Sequence, residues 1–304
     1  MYLEHYLKEL NYYNMPEFLF KYLKSPSLLR LKKVGYFCGM DYASSDIYNF
    51  REYISRFDHS LTVSLIVYNL THDKKATLAG LFHDIATPCF SHVIDYMNKD
   101  YEKQESTEEY TEFILREDKY LMDCLRKDGL SIDDIVNFKA YSIVDNDRPK
   151  VCADRIDGVI LTGIGWTKNV SKKDISDIVH DMDVFVNEDR EEEIGFKNLD
   201  IARKVIDVSN SIDVYCHSKE DNYMMELLAS ITRMSIDKKI IVYEDLYRYN
   251  EKELFDLLNK TEYVDIHNLV DKFKNIKLED IPKLDMPKVK KRDLNPIVNG
   301  TRIK

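Results

Sequence analysis

The chain has 304 residues, with 44 basic and 54 acidic side chains and a formal net charge of −10. This acidic balance argues against a nucleic-acid binder, because nonspecific binders present a basic surface to the phosphate backbone. The five cysteines are dispersed without the paired spacing of a zinc site, which predicts free thiols in a reducing compartment. We find no basic and apolar leader and no apolar run of membrane-spanning length, so we expect a cytoplasmic protein with no membrane partner.

The first part of the chain predicts helices followed by a loop. Residues 1–34 place apolar and charged side chains at helical spacing, and Pro16 and Pro26 mark helix starts or breaks. Residues 35–55 are less regular and predict a loop that leads into the next apolar run.

Two apolar runs then predict a pair of buried helices. The first covers residues 61–70, and the second covers residues 76–86 and is apolar on nearly every face. The polar residues 69–75 between them predict an exposed turn. The second helix contains the adjacent pair His83 and Asp84.

A buried histidine beside a carboxylate needs partners, because burying it alone would cost several kcal/mol. Either a metal ion or a hydrogen-bond network within the protein could satisfy the pair, and the dipeptide alone leaves both open. The same dipeptide occurs at His72 and at His180, but polar flanks predict that these two copies lie outside any site.

Two further residues stand in similarly apolar settings. His59 opens the first buried run, and Asp154 follows small apolar residues. With His83 and Asp84 they make two imidazoles and two carboxylates. Two carboxylates neutralise a divalent cation, and four protein ligands leave positions open on a six-coordinate metal, which is typical of a catalytic site.

The second half of the chain is also predicted to be mostly helical. Residues 106–126 predict a helix with a charged face, and residues 198–259 predict long helices. We expect the glycines between residues 158 and 165 to interrupt the helix that follows Asp154. The acidic run 188–193 is most simply a solvated surface segment.

Strand patterns are few and lie at residues 239–242 and 289–298. Residues 287–292 form a basic segment on an acidic chain. This segment is either a solvated or edge-strand segment or a contact with an acidic face of a neighbouring subunit.

The order His, His-Asp, Asp resembles the HD-domain metal-dependent phosphohydrolases, and within them most closely the deoxynucleoside triphosphate triphosphohydrolase branch. The resemblance covers roughly residues 29–260. Besides the four candidate ligands it rests on Leu29–Gly35, Arg56–Leu61, Phe90–His92, Val214–His217 and Glu244–Leu246.

This resemblance implies an all-α fold, an HD-domain helical bundle over residues 1–263, and a C-terminal extension with a short strand segment over residues 264–304. It implies one divalent metal ion (Mn, Fe, Zn, Ni or Mg) and hydrolysis of a nucleotide or other small phosphate ester by a metal-activated water. We expect a homo-oligomer. The implied metal ligands are His59, His83, Asp84 and Asp154; the implied catalytic residues are His92, Glu105 and Asp84; and the implied substrate-binding residues are Arg56, Arg155, Lys33, Tyr215 and His217.

The sequence also departs from that branch. Thr87 and Gln104 stand where the branch has histidines of its proton relay, and Lys33, Gly158 and Thr162 stand at its nucleotide-binding positions. Part of the usual relay and base recognition is therefore replaced. The alternatives to an enzyme are a nucleotide-binding regulator that keeps the metal but turns over slowly, and an interaction protein that uses the fold as a scaffold.

Overall fold

The computed structural model describes residues 1–102, 110–283 and 288–303. These residues are mostly helical, as predicted. The α-helices are α1 Tyr2–Glu9, α2 Leu19–Tyr22, α3 Pro26–Arg30, α4 Arg56–Thr71, α5 Lys74–Phe82, α6 Val93–Asn98, α7 Thr111–Glu117, α8 Lys119–Lys127, α9 Asp133–Val136, α10 Ala153–Gly165, α11 Lys172–Asp181, α12 Leu199–Cys216, α13 Lys219–Asp237, α14 Glu251–Leu258 and α15 Val264–Asn275. The strands are β1 Met182–Val186, β2 Glu192–Phe196, β3 Ile297–Val298 and β4 Thr301–Arg302.

The buried apolar side chains form two clusters. In the larger cluster α4 packs against α5 and α10, and α10 packs against α12. In the smaller cluster α13 packs against α6 and α15. The rings of Phe50 and Trp166 pack against both clusters. A cavity lies between the two clusters and takes lining residues from each.

Local sequence fixes the start of both central helices. Ser55 and Asp58 form a reciprocal capping box at the start of α4, in which the Asp58 carboxylate accepts from the Ser55 amide at 2.8 Å. Asp73 caps α5 and accepts from the backbone amides of the next turn. These side chains satisfy amides that an α-helix leaves unpaired at its N-terminus. The two buried helices and the turn between them therefore agree with the sequence prediction.

The predicted helix break at residues 158–165 is wrong, because α10 continues through Gly165. Its glycines serve close packing. A Cβ on Gly163 would lie 2.3 Å from Val170 Cγ2, and a Cβ on Gly165 would lie 2.5 Å from a carbon of the Phe37 ring. Only a residue without a side chain allows these approaches.

A small sheet lies beside the helices. β1 pairs antiparallel with β2 in the register Met182↔Phe196, β2 pairs parallel with β3, and β3 pairs antiparallel with β4. The predicted strand at residues 239–242 is wrong, because that segment is a turn after α13. Of the predicted strand 289–298, only the last two residues are a strand.

The acidic run 188–193 is also not simply solvated. Its last two residues belong to β2, and the Glu193 side chain is fully buried. Both Glu193 carboxylate oxygens accept from the Arg302 guanidinium at 2.8 Å. A buried carboxylate is tolerated here because a bidentate arginine partner neutralises it. β4 supplies that arginine, which links the end of the chain to the hairpin.

The remaining predictions have mixed outcomes. The predicted helix 106–126 lies partly outside the described residues, and its described part forms α7 and α8, with Asp118 capping α8. All five cysteines are free, as predicted. No helix in the described part of the chain combines the length and apolar character needed to cross a bilayer. α15, in the segment assigned to a C-terminal extension, packs on α13 and α14, and the boundary at residue 263 stays a prediction.

Candidate metal centre and its cavity

Three helices bring the four predicted ligands together. His59 lies on α4, His83 and Asp84 directly follow α5, and Asp154 lies in the first turn of α10. The ligand atoms of His59, His83 and Asp154 all lie within 4.8 Å of one another.

The four side chains face one another through specific atoms. Asp154 Oδ1 lies 3.1 Å from His59 Nε2 and 3.5 Å from His83 Nε2. Asp84 faces both imidazoles, with Oδ2 3.7 Å from His59 Nε2 and Oδ1 3.8 Å from His83 Nε2. The predicted set is therefore one spatial cluster.

The outer nitrogen of each imidazole is held by an acceptor. His59 Nδ1 lies 2.7 Å from an oxygen of Asp157, and His83 Nδ1 lies 2.7 Å from the Gly80 carbonyl oxygen. Because a carboxylate and a carbonyl can only accept, each Nδ1 carries a proton, and each Nε2 is left as the ring atom that faces the centre and could bind a metal. His83 Nε2 is buried and has no hydrogen-bond partner among the described residues.

The charges around the centre favour a cation. Burial alone would lower the pKa of His59, but hydrogen bonds to Asp154 and Asp157 outweigh burial and raise its pKa to about 10. Burial would likewise raise the pKa of Asp84, but His83, Arg56 and His59 lower it to about 2. Both shifts have one cause, because ionised carboxylates and positive charge stabilise each other in a buried site.

These residues fit a divalent metal. Two imidazole lone pairs and two ionised carboxylates are the ligand types that divalent transition metals and zinc take in catalytic sites. The unpaired, buried His83 Nε2 would gain a partner from such an ion. HD-type ligation by His59, His83, Asp84 and Asp154 therefore agrees with the chemistry of the site.

Arg56 supports this cluster. Its side chain is buried, with Nη1 donating to Asp84 Oδ2 at 2.9 Å and Nε donating to Ser91 Oγ at 3.1 Å. Arg56 therefore pairs with a candidate ligand and not with its neighbour Asp58, which caps α4. It also lines the cavity.

Arg155 lines the cavity but its charge is already balanced. Its guanidinium donates to Asp145 at 2.9 Å and also bonds Asn146 and the Lys150 carbonyl oxygen. Asp145, Cys152 and Asp154 form a second close group of possible ligands, but Arg155 already neutralises Asp145. Arg155 therefore pairs with Asp145 and not with Asp157, whose carboxylate contacts His59.

Of the other predicted site residues, some line the cavity and some do not. His92 lines the cavity, and its Nδ1 lies 2.9 Å from Asp95 Oδ2. Glu105 falls outside the described residues. Lys33 is exposed, Tyr215 is 44 % exposed with its ring edge against Trp166, and the His217 Nδ1 bonds the Asp213 carbonyl oxygen. These last three are outside the cavity lining, so the structure does not bring them to the metal cluster.

The two other His-Asp pairs lie elsewhere, as predicted. His72 is exposed at the end of α4, and Asp73 caps α5. The His180 side chain is 70 % exposed and lies 3.4 Å from Glu9.

The cavity that contains the cluster has a volume of about 940 Å³. Part of its wall is aromatic, with the rings of Phe37 and Phe50 stacked at 4.3 Å and Trp166 beside them. Another part is cationic and includes Arg148 and Lys290. An aromatic and cationic lining suits a ligand with a flat ring and negative charge.

Several residues of this site were not predicted from sequence. Asp157 could have been found, because it lies three residues after Asp154 and therefore on the same helix face. The aromatic wall and the cations Arg148 and Lys290 had no such signal, because they come from distant segments that meet only in the folded chain.

Comparison with known proteins agrees with this arrangement. Residues 56–159 match the HD domain family, and this range includes all four candidate ligands. The uncharacterized protein YdhJ of Bacillus subtilis (strain 168) is 30% identical over 139 residues, which are 44% of this chain and 40% of that protein. The chain thus spans about two-fifths of the length of this curated relative. The match to the HD domain family thus covers the part of the chain that holds the candidate metal centre.

Proposed function

We propose that this protein is a metal-dependent phosphohydrolase that acts on a small phosphorylated substrate, with a nucleotide as the leading class. The observation that carries the proposal is the convergence of His59, His83 and Asp154 within 4.8 Å, inside a cavity that also presents cations. A divalent ion held there would lower the pKa of water and polarise a phosphoryl oxygen.

The chain's own residues have separate tasks in this proposal. Asp157 and the Gly80 carbonyl oxygen orient the two imidazoles, and Arg56 holds Asp84. His92 is the proposed proton donor to the leaving oxygen, since Asp95 holds its Nδ1 at the cavity wall. Glu105 remains proposed as its helper.

Two features support a nucleotide over a simple ester. The aromatic wall offers rings on which a base could stack, since Phe37, Phe50 and Trp166 lie together in the lining. The volume of about 940 Å³ falls within the range of roughly 300–1,000 Å³ for small-molecule sites. A simple monoester would fill little of this space.

The likeness to deoxynucleoside triphosphate triphosphohydrolases remains part of the proposal. Thr87 is buried outside the cavity lining, and its carbonyl oxygen accepts from Arg30 at 2.6 Å. It cannot replace a relay histidine, so proton donation depends on His92. We therefore expect slower hydrolysis of triphosphates than a complete relay would give, and a general acid typically contributes about 10²–10⁴-fold.

The test is a metal analysis of purified protein followed by a phosphate-release screen. The screen covers mono-, di- and triphosphate nucleotides and p-nitrophenyl phosphate, each with Mn²⁺, Zn²⁺ and Mg²⁺. His83→Ala is the inactive variant, and His72→Ala is its matched control at the exposed copy of the dipeptide. We expect metal-dependent phosphate release that His83→Ala abolishes and His72→Ala retains.

Other results would separate the alternatives. Nucleotide binding with bound metal and no hydrolysis would replace the enzyme with the regulator. Absence of both metal and nucleotide binding would leave only the scaffold.

A further inference from the structure

Two carboxylates meet outside the metal cluster, where the segment between α3 and α4 contacts α14. Glu251 is the first residue of α14 and is fully buried. Asp41 lies in the short 3-10 turn Met40–Tyr42. A Cβ on Gly35 would lie 2.8 Å from Asp41 Oδ2 and 2.9 Å from Glu251 Oε2, so the two oxygens face the same point. We call Asp41 and Glu251 the acidic pair.

The acidic pair lacks partners in the part of the chain that the structure describes. Asp41 Oδ2 and both carboxylate oxygens of Glu251 are buried there without a hydrogen-bond partner. Arg56 attracts Glu251 but gives its hydrogen bonds to Asp84 and Ser91. Burying a carboxylate without a partner costs several kcal/mol. The pair therefore needs either protons or a cation.

Both acids bind protons more tightly than usual. Burial and the charge of Asp41 raise the pKa of Glu251 to about 8, against the opposite effect of the Gly35 and Gly39 amides and of Arg56. Burial raises the pKa of Asp41 to about 6. A cation between the two acids would neutralise both and displace their protons.

A smaller cavity of about 290 Å³ includes Asp41 in its lining. Ser45, Asn49 and Glu52 also line it, and none of its lining residues is a lysine, arginine or histidine as far as the structure describes the chain. Glu52 Oε1 accepts from two amides at the start of α1, whereas its Oε2 is buried and receives no hydrogen bond from the described residues. Hydroxyl, amide and carboxylate oxygens are the ligands of hard cations such as Ca²⁺.

We propose that the acidic pair binds a hard divalent cation of the calcium class, and that this ion fastens residues 35–42 to α14. The candidate ligands are all oxygen atoms, which suit calcium, whereas the imidazoles of the metal centre suit transition metals and zinc. Water from the smaller cavity would complete the coordination, because Ca²⁺ takes about 6–8 oxygen ligands. This inference does not depend on the proposed phosphohydrolase activity.

Residues 35–42 also form part of the wall of the larger cavity. Tyr36 and Phe37 line that cavity, and the centroid of the Tyr36 ring lies 5.1 Å from that of His59. The Phe37 ring lies 6.5 Å from the ring of Trp166, which is the only tryptophan of the chain. An ion at the acidic pair would hold this wall in place, so Trp166 emission should report its binding.

The first experiment is a calorimetric titration of metal-stripped protein with Ca²⁺ at about pH 8.5, where protons compete little with the ion. We expect binding and a rise in melting temperature. Glu251→Gln should weaken Ca²⁺ binding about 10-fold or more, because one of two charged ligands is lost. Glutamine has the shape of a protonated glutamic acid, so this variant should fold without the ion. The exposed Glu262→Gln is the matched control.

The second experiment separates the acidic pair from the metal centre. His83→Ala should lose Mn²⁺ but keep Ca²⁺ binding, whereas Glu251→Gln should keep Mn²⁺ and lose Ca²⁺ binding. Ca²⁺ should change Trp166 emission in the natural protein and in His83→Ala, and not in Glu251→Gln. Asp41→Asn gives the same comparison from the other ligand if Glu251→Gln does not fold.

Three outcomes would overturn the calcium site. The first is that the natural protein does not bind Ca²⁺, which would leave protons to satisfy the acidic pair. The second is Ca²⁺ affinity that is equal in Glu251→Gln and Glu262→Gln. The third is Ca²⁺ binding that only His83→Ala abolishes, because the ion would then lie at the metal centre. Ca²⁺ binding that Glu251→Gln abolishes, in a protein that hydrolyses no ester, would support the site and reject the phosphohydrolase.

Discussion

The replacement Asp157→Asn tests how the metal centre is organised. Asp157 is fully buried, its Oδ2 lies 2.7 Å from His59 Nδ1, and its Oδ1 accepts from the Tyr6 hydroxyl at 2.7 Å. Both oxygens are thus used as acceptors. Asparagine has nearly the same shape but offers only one acceptor oxygen, so one of the two partners must reverse its hydrogen bond.

The consequence for the metal follows from the tautomer of His59. If the amide nitrogen faces His59, Nδ1 must accept, and the proton moves to Nε2, the atom that faces Asp154. A protonated Nε2 cannot be a ligand. If the amide nitrogen faces Tyr6, the Tyr6 hydroxyl must accept the hydrogen bond instead of donating it. The His59 imidazole then loses part of its orientation. Loss of such an outer partner typically costs about 10- to 100-fold in metal affinity, which is about 1.4–2.7 kcal/mol.

The assay is calorimetric titration of metal-stripped protein with Mn²⁺. We expect Asp157→Asn to weaken binding by the factor above. Tyr6→Phe is the matched control, because it removes one hydrogen bond to Asp157 but keeps the carboxylate on His59, so its metal affinity should change far less. Melting temperatures in the absence of metal would separate a folding defect from a binding defect. Equal Mn²⁺ affinity in Asp157→Asn and the natural protein, with both folded, would refute the reasoning.

Three further predictions concern other parts of the molecule. His83→Ala should remove bound metal and His72→Ala should not, as measured by metal content after dialysis; metal loss in His72→Ala would mean that the wrong dipeptide was chosen. Arg56→Ala should lower both the melting temperature and metal retention, because it leaves a candidate ligand without its buried donor; unchanged metal content would limit this arginine to a role outside the centre. Burial raises the pKa of Glu251 from 4.5 to about 8, so between these values the unfolded chain is ionised while the folded protein keeps the proton, and the free energy of unfolding falls as pH rises. Glu251→Gln should flatten that dependence in melting curves and the exposed Glu262→Gln should not; an equal slope in both variants would contradict the assignment.

Much of the metal centre could be predicted because its evidence is local. His83 and Asp84 stand in a run of small and apolar residues, where an unpartnered charge would be costly. The same dipeptide at His72 and at His180 is flanked by polar residues, and the structure places both copies at the surface. The residues that flank each dipeptide therefore indicated which of the three His-Asp pairs is buried at the site.

Where prediction failed, packing overrode local preference. Glycines in α10 weaken a helix in isolation, but Gly163 and Gly165 are needed where Val170 and Phe37 approach the backbone. Glu193 looked solvated because acids surround it in sequence. Its partner Arg302 lies 109 positions later, and no local pattern connects them.

The proposed substrate contacts were the least predictable part of the site for the same reason. The candidate metal ligands lie on helices or directly after one, next to apolar residues that can be recognised in the local sequence. Lys290, in contrast, belongs to a segment whose sequence predicts a strand that the structure does not form there, and it reaches the cavity because the buried residues Val289 and Leu294 anchor residues 288–296 on either side. The local sequence around a lysine that stands between two apolar residues is the same whether the lysine faces solvent or a cavity. Its exposed neighbour Lys291 shows that only the fold distinguishes them, and this makes the pair a suitable test of what the cavity binds.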